Sequence, residues 1–281
     1  MAGSCFFSLL ISTFKCNFDT MKRFIFSLTL ITYYFLAFGQ TEAQKFKDRQ
    51  LNDNSVYEID LKDKLAKYDF SPLFTQTENS VVYGFIGDNY QRIRIKFISV
   101  KKDSLSPDTY SIYGKSMVKS NICEFHGTFT ISNIRRYKKT SYGVDDEYKN
   151  KGIKGQFVIL GNYSLSENKD QNYPGVFKGA FKTAFYLDKN DKVCYDDIDI
   201  ASDGYTNNQF VGQWAAYNGK LIKNCNWGDY RVPGSPGLDI GAGEFSPADI
   251  YLKYGWQSRR DLMESPNDKS AKQKENAKWW E

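Results

Sequence analysis

The sequence predicts a mostly β chain, folded as a single antiparallel meander barrel of the calycin or lipocalin kind, with a β-sandwich as the alternative. Three observations predict it. Hydrophobicity alternates with period two through much of the chain, turn-forming clusters separate the alternating runs, and large and small residues alternate in GVFKGAFKTAFYL. In that run Phe177, Phe181 and Phe185 stand at even spacing with Gly179 and Thr183 between them, which suits a curved interior wall.

The elements follow in chain order. Met21 is followed by Lys22, Arg23 and an apolar run from Phe24 to Phe38, the basic and apolar regions of a signal peptide. The run is shorter than the about 20 apolar residues a membrane span needs. Ala37-Phe38-Gly39 supplies a small-x-small cleavage pattern ahead of Gln40. Residues 1–20 read as an upstream extension outside the folded product. Export to the periplasm or the medium is therefore expected, leaving residues 40–281. Residues 40–70 read as a polar segment, frayed to about 55, with a helical pattern over 56–68 that Ser71-Pro72 stops.

The barrel domain is expected over 71–245. In YQRIRIKFISV, Ile93, Ile95 and Phe97 share one face, and Arg92, Arg94 and Lys96 share the other. The basic stripe fits a solvated sheet face better than an anion site. Similar runs recur at 81–86, 109–119, 121–134, 154–166, 175–187, 192–200 and 208–217, so about eight to nine strands are expected. Over 246–281 the composition changes. Ser246-Pro247-Ala248-Asp249 is a helix-start signature running to Tyr254, with Gly255 as the stop. Ser265-Pro266-Asn267-Asp268 repeats the device before a Lys-rich tail ending in Trp279-Trp280, which either docks on the body or hangs free.

Charge and motifs narrow the function. The net charge is +5, and it falls to +3 when three cations (Lys15, Lys22, Arg23) and one anion (Asp19) leave with residues 1–39. That is too weak to argue for nucleic acid or a membrane surface. Cys123, Cys194 and Cys225 remain, and an oxidising compartment implies one disulfide. Cys194 sits inside a strand pattern, which favours the pair Cys123–Cys225. The lone histidine, His126, cannot build a multi-histidine metal site. Gly114-Lys115-Ser116 has Thr109 where a phosphate loop needs glycine, and Gly241-Ala242-Gly243 lacks the third glycine of a dinucleotide loop. Asp188 to Lys192 puts lysine at the fifth position of a calcium loop. No metal or cofactor is expected, and Asn162-Tyr163-Ser164 is a glycosylation sequon.

The run CNWGDYRVPGSPGLDIGAGEF, from Cys225 to Phe245, carries the site expectation. It holds Trp227, Asp229, Tyr230, Arg231, Asp239 and Glu244, with Trp256 a little beyond. Aromatic faces beside carboxylates and an arginine suit stacking on sugar rings with hydrogen bonds to their hydroxyls. The competing reading is a structural plug, a loop across one barrel end whose tryptophans complete the core and whose Arg and Asp pair. Trp214 and Tyr217 fit either reading. Acids such as Asp197 and Asp199, or a pair among Asp229, Asp239 and Glu244, would suit a carboxylate-dependent glycan hydrolase.

The strings GFIGDNYQRIRIKF, GKSMVKSNICEFHGTF and NNQFVGQWAAY, followed by the Cys225–Phe245 run, resemble secreted proteins of unknown function from Bacteroidetes-type bacteria. The resemblance spans residues 56–257 and implies export, with no activity or catalytic residue attached. The expected function is thus an exported, non-enzymatic β-barrel binding module for a glycan or other small molecule. A glycan hydrolase, or a structural or interaction protein without a pocket, are the alternatives.

Overall fold

The computed structural model describes residues 40–281; the signal-peptide reading lies outside them. The nine strands are β1 (Val82–Ile86), β2 (Gln91–Lys102), β3 (Thr109–Val118), β4 (Asn121–Arg136), β5 (Gly155–Glu167), β6 (Gly175–Leu187), β7 (Val193–Tyr195), β8 (Asn207–Ala216) and β9 (Ile222–Asp229). All but β7 form a closed antiparallel barrel: consecutive strands pair, β6 skips to β8, and β9 returns to β1. The short β7 adds to the end of β6 that β8 does not reach. Closure removes the edge strands that would otherwise be open to pairing.

Alternation decides which side chains fill the barrel. Phe97, Phe125, Phe129, Tyr163, Phe177, Phe181, Phe185, Phe210 and Trp227 all point inward and are buried in one cluster. Each such side chain contributes about 1.5–3 kcal/mol by leaving water. The packing is tight enough that glycine is required on the wall. A Cβ at Gly161 would lie 2.3 Å from the Phe181 ring.

The two barrel ends differ. The β2–β3, β4–β5 and β6–β8 connections gather at one end, which the segment before β1 closes. A 3-10 turn at Ser71–Phe74 drives Phe74 between Phe129 and Phe181, at ring separations of 5.0 and 5.6 Å, and Phe70 lies 5.0 Å from Phe185. The opposite end, where β1–β2, β3–β4, β5–β6 and β8–β9 turn, forms the mouth.

Outside the barrel, three short helices, a single helical turn and a long connection cover the wall. Helix α1 (Glu42–Leu51) occupies the stretch expected to be frayed. Thr41 caps it by accepting from Gln44 N, and Phe46 seats against Ala180 and Val211. The helix expected over 56–68 is reduced to one turn at Lys62–Leu65, because Val56 bridges Tyr137 as extended chain. The expected strand at 192–200 stops at Tyr195, and Asp197 and Asp199 lie in the turns beyond it.

At the C-terminus, Asp249–Tyr254 is a 3-10 helix ended by Gly255 in the left-handed region, at φ 98°. Ser246 does not cap it, since Pro247 bridges Asp239. Helices α2 (Gln257–Glu264) and α3 (Lys269–Glu275) follow, the latter capped by the Asp268 carboxylate, which accepts from Ser270 N and Ala271 N. The tail docks: Trp279 Nε1 donates to Asn79 Oδ1 at 2.9 Å, and Lys96 sits over the Trp280 ring.

Two expectations about side chains are corrected. Cys123 and Cys225 are free thiols, as is Cys194. β4 and β9 lie on opposite sides of the strand ring, so their cysteines cannot reach the about 4.4–6.8 Å Cα separation a disulfide needs. The Arg92 face of β2 is not a solvated stripe either. Arg92 is buried beneath the C-terminal helices, where its two terminal nitrogens donate to Glu275 Oε1 and Oε2 at 2.7 and 2.6 Å.

Candidate functional site

The seven residues expected to form a binding site are distributed between the core and an outer brace. Trp227 lies on β9, inside the barrel, stacked on Phe210 at 4.8 Å. Asp229 ends the same strand, also facing inward at the closed end. Its Oδ2 accepts from Thr77 Oγ1, Tyr195 OH and Asn208 Nδ2, each at 2.8 Å. Burial pushes its pKa up to about 6. Tyr230 stands edge-on to Tyr205 at 5.0 Å.

Beyond Asp229 the chain leaves the barrel end and runs over the outer face of β1. Leu238, Phe245 and Trp256 pack there against Tyr83 and Phe85, forming a second hydrophobic cluster. Arg231 closes the loop on itself. Its Nε donates to Asp239 at 2.6 Å, and its terminal nitrogens donate to the carbonyls of Gly241, Ala242 and Gly243. Asp239 Oδ1 accepts from Gly241 N and Ser246 N. Trp256 Nε1 donates to Tyr90 O at 2.8 Å, and Glu244 is exposed, 3.3 Å from Arg259. The aromatic and Arg231–Asp239 groups of the segment are therefore self-paired and covered, with Glu244 and Ile240 left exposed. The segment braces the wall, not a barrel end.

The barrel mouth offers a different arrangement. A cavity of about 400 Å³ opens between the four turns, within the size range of small-molecule sites. Its floor is Ile86, Ile93, Phe177 and Trp214, and Glu167 lies among them. Asn89, Gln91, Asn121, Lys119 and Lys223 stand around it with Tyr173, which is 84% exposed at the rim.

Glu167 is placed by alternation. It is the last residue of β5 and follows Tyr163 and Leu165 on the inward phase. Although buried, it has no cation among its hydrogen-bond partners. Oε1 accepts from the Ser116 hydroxyl of β3; Oε2 accepts from Gly175 N at 2.8 Å and from Trp214 Nε1 at 2.9 Å. Burial raises its pKa, against those three donors, which lower it. Gly175 has to be glycine, since a Cβ there would stand 2.4 Å from the Trp214 ring. Four strands thus fix one carboxylate and one indole at the mouth.

Other sequence candidates, Tyr217 apart, are accounted for away from the mouth. Asp199 accepts from Ser141 Oγ at 2.6 Å, and the buried Asp196 is held by Gln156 Nε2 at 3.1 and 3.0 Å. His126 stacks on Tyr113 at 4.8 Å. Asp188 Oδ1 accepts from the backbone N–H of Asn190 and Lys192, so Asp188 to Lys192 form a turn and not a calcium loop. Tyr217 OH donates to Glu167 O at 2.5 Å, just behind the mouth. Among the described residues no helix is long and apolar enough to cross a membrane.

Sequence reading missed Glu167, Ser116 and Tyr173. The strand expected over 154–166 stops one residue short of Glu167, yet the inward phase of Tyr163 and Leu165 extends to it. That phase, carrying a carboxylate at a strand end, was the available signal. Comparison with family models, with curated proteins and with solved structures gives no match for this chain, so its chemistry rests on its own residues.

Proposed function

We propose that this chain is an exported, non-enzymatic β-barrel binding module whose open mouth takes a glycan unit or a comparably small polar molecule. The supporting observation is the mouth cavity itself, with the Glu167–Ser116–Trp214 arrangement at its base and Tyr173 at its rim. An indole and a phenol beside amides, lysines and a carboxylate combine flat apolar faces with hydroxyl-directed hydrogen bonds. Glycan hydrolysis by the usual route needs two carboxylates flanking the bond, and Glu167 is the one carboxylate among the residues lining the mouth. The barrel interior does not serve as a calycin-type cavity, because aromatic side chains fill it.

The test is calorimetric titration with a panel of neutral and acidic oligosaccharides, on the wild type and on Tyr173→Asn. Asparagine tolerates the positive φ of 53° at this position, so the variant removes the ring without straining the turn. The expected outcome is saccharide binding that weakens about tenfold in the variant, the loss of one stacking partner. No binding across the panel, or binding that Tyr173→Asn leaves unchanged, would remove the proposal.

A further inference from the structure

A second cavity lies on the other face of the same wall. Strand pairing sets Ile93 opposite Val118, Arg94 opposite Met117 and Ile95 opposite Ser116. Alternation then sends Ile93, Ser116 and Val118 to the mouth and Arg92, Arg94 and Met117 to the outside. On that outer side the C-terminal helices do not close onto the sheet completely. They leave a cleft of about 490 Å³ lined by Arg92, Arg94, Lys119, Lys253 and Lys274, with Trp279 at one side. No carboxylate is among its lining residues.

The charge in this cleft is not balanced from within. Two guanidinium groups share one carboxylate, Glu275. Arg92 takes both of its oxygens at 2.6–2.7 Å, and Arg94 is left with a longer contact of 3.2 Å. Burial, together with the neighbouring Arg92, lowers the Arg94 pKa to about 10, as expected of a cation short of counter-charge. Arg92 Nε is buried with no hydrogen-bond partner. Lys119, Lys253 and Lys274 add three more positive charges around the opening. A half-enclosed, low-dielectric pocket with surplus positive charge favours an anion.

The cleft and the mouth meet. Gln91 and Lys119 line both cavities, since they stand at the rim where β2 begins and β3 has just ended. Building on the binding reading above, we propose that the two cavities are subsites of one surface and that the ligand is an acidic glycan chain. One sugar unit sits in the mouth, the chain crosses the rim at Gln91 and Lys119, and a carboxylate or sulfate group further along enters the basic cleft. A neutral glycan would engage the mouth alone.

The experiment compares three probes of matched length on the purified protein: dextran, sulfated dextran and oligogalacturonate. It uses the wild type, Tyr173→Asn and the double variant Lys253→Gln/Lys274→Gln, whose changed residues are exposed on the C-terminal elements. The expected result is tighter binding of the acidic probes by the wild type, by about tenfold at low salt, and weakening of that excess as salt rises. In the double variant the acidic probes weaken about fivefold to tenfold, the size of two part-exposed ion pairs, while dextran binding stays as it was. Sulfated dextran losing more than oligogalacturonate, or the reverse, identifies the anionic group. An unchanged acidic preference in the double variant overturns the cleft proposal and leaves the mouth reading standing if Tyr173→Asn still weakens every probe. Acidic binding that responds to the double variant but not to Tyr173→Asn overturns the shared ligand and the mouth reading together.

Discussion

Glu167 shows how much one side chain at a strand end organises. Its two oxygens satisfy a hydroxyl, an indole N–H and a backbone N–H from three different strands. Removing the acceptors in Glu167→Ala orphans the Trp214 and Gly175 donors, at a cost of about 1–3 kcal/mol for each. Glu167→Gln should behave differently. Its amide oxygen can accept both N–H groups while its NH₂ donates to a Ser116 hydroxyl that has turned to act as acceptor. The charge effect then has a definite sign. Burial raises the folded pKa above the ordinary value of 4.5, so in the window between 4.5 and the folded pKa the native state holds a proton the unfolded chain has released. Stability falls as pH rises through the window and stays lower above it. Urea unfolding should therefore show Glu167→Gln gaining on the wild type as pH rises from about 4. A parallel offset at all pH values would show that the carboxylate is not desolvated.

At the scale of elements, α3 depends on a single buried carboxylate. The helix is polar, with Ala271 and Glu275 its only buried residues, and Ser258 Oγ also donates to Glu275 at 2.5 Å. Glu275→Ala leaves two buried guanidinium groups facing no counter-charge, a loss of about 3–5 kcal/mol. The loss falls on the docking of the C-terminal elements, because the barrel closes without them. Limited proteolysis should cut this variant after Gly255 while the barrel stays intact; a wild-type digestion pattern would show the clip to be dispensable. The same elements show which features the sequence exposes. The meander strands are readable because a wall with an apolar inner face and a polar outer face writes period two into the chain. β9 is not readable, because the brace covers its outer face and buries Asn226, whose amide donates to Pro233 O. With both faces buried the alternation vanishes, and Trp227 and Asp229 read as loop. Helix α1 likewise forms through tertiary contact, Phe46 on the wall, which a polar local sequence does not announce. The mouth is the least legible part, since Ser116, Glu167, Gly175 and Trp214 come together only when four strands close.

For the whole molecule, the asymmetry of the two ends sets both function and response to pH. The closed end holds two desolvated carboxylates, in addition to Glu167 at the mouth. Asp229 and Asp196 both have pKa values raised by burial to about 6, while on the outer wall the arginines hold Glu275 down to about 2. The two kinds of group act in opposite directions. Below about pH 6 the folded protein binds protons on Asp229 and Asp196 that the unfolded chain does not take up until near 3.8. Stability should therefore rise on acidification from pH 7 to about 4, by up to about 3 kcal/mol for each carboxylate. Glu275 reverses the trend: between 4.5 and 2 the unfolded chain is protonated first, so the stability its ion pairs supply is lost as pH falls through that range. The maximum should lie near pH 4, below the usual range of about 5–8. Asp229→Asn mimics the protonated carboxyl, so it should flatten part of the slope between pH 6 and 4, which Asp196 and Glu167 share, and leave the loss below pH 4 in place. Chemical denaturation at half-unit pH steps measures both limbs. A wild-type stability that falls steadily from pH 7 to 3 would mean that the closed end admits water to Asp229, and that the barrel is less tightly stoppered there than its aromatic packing implies.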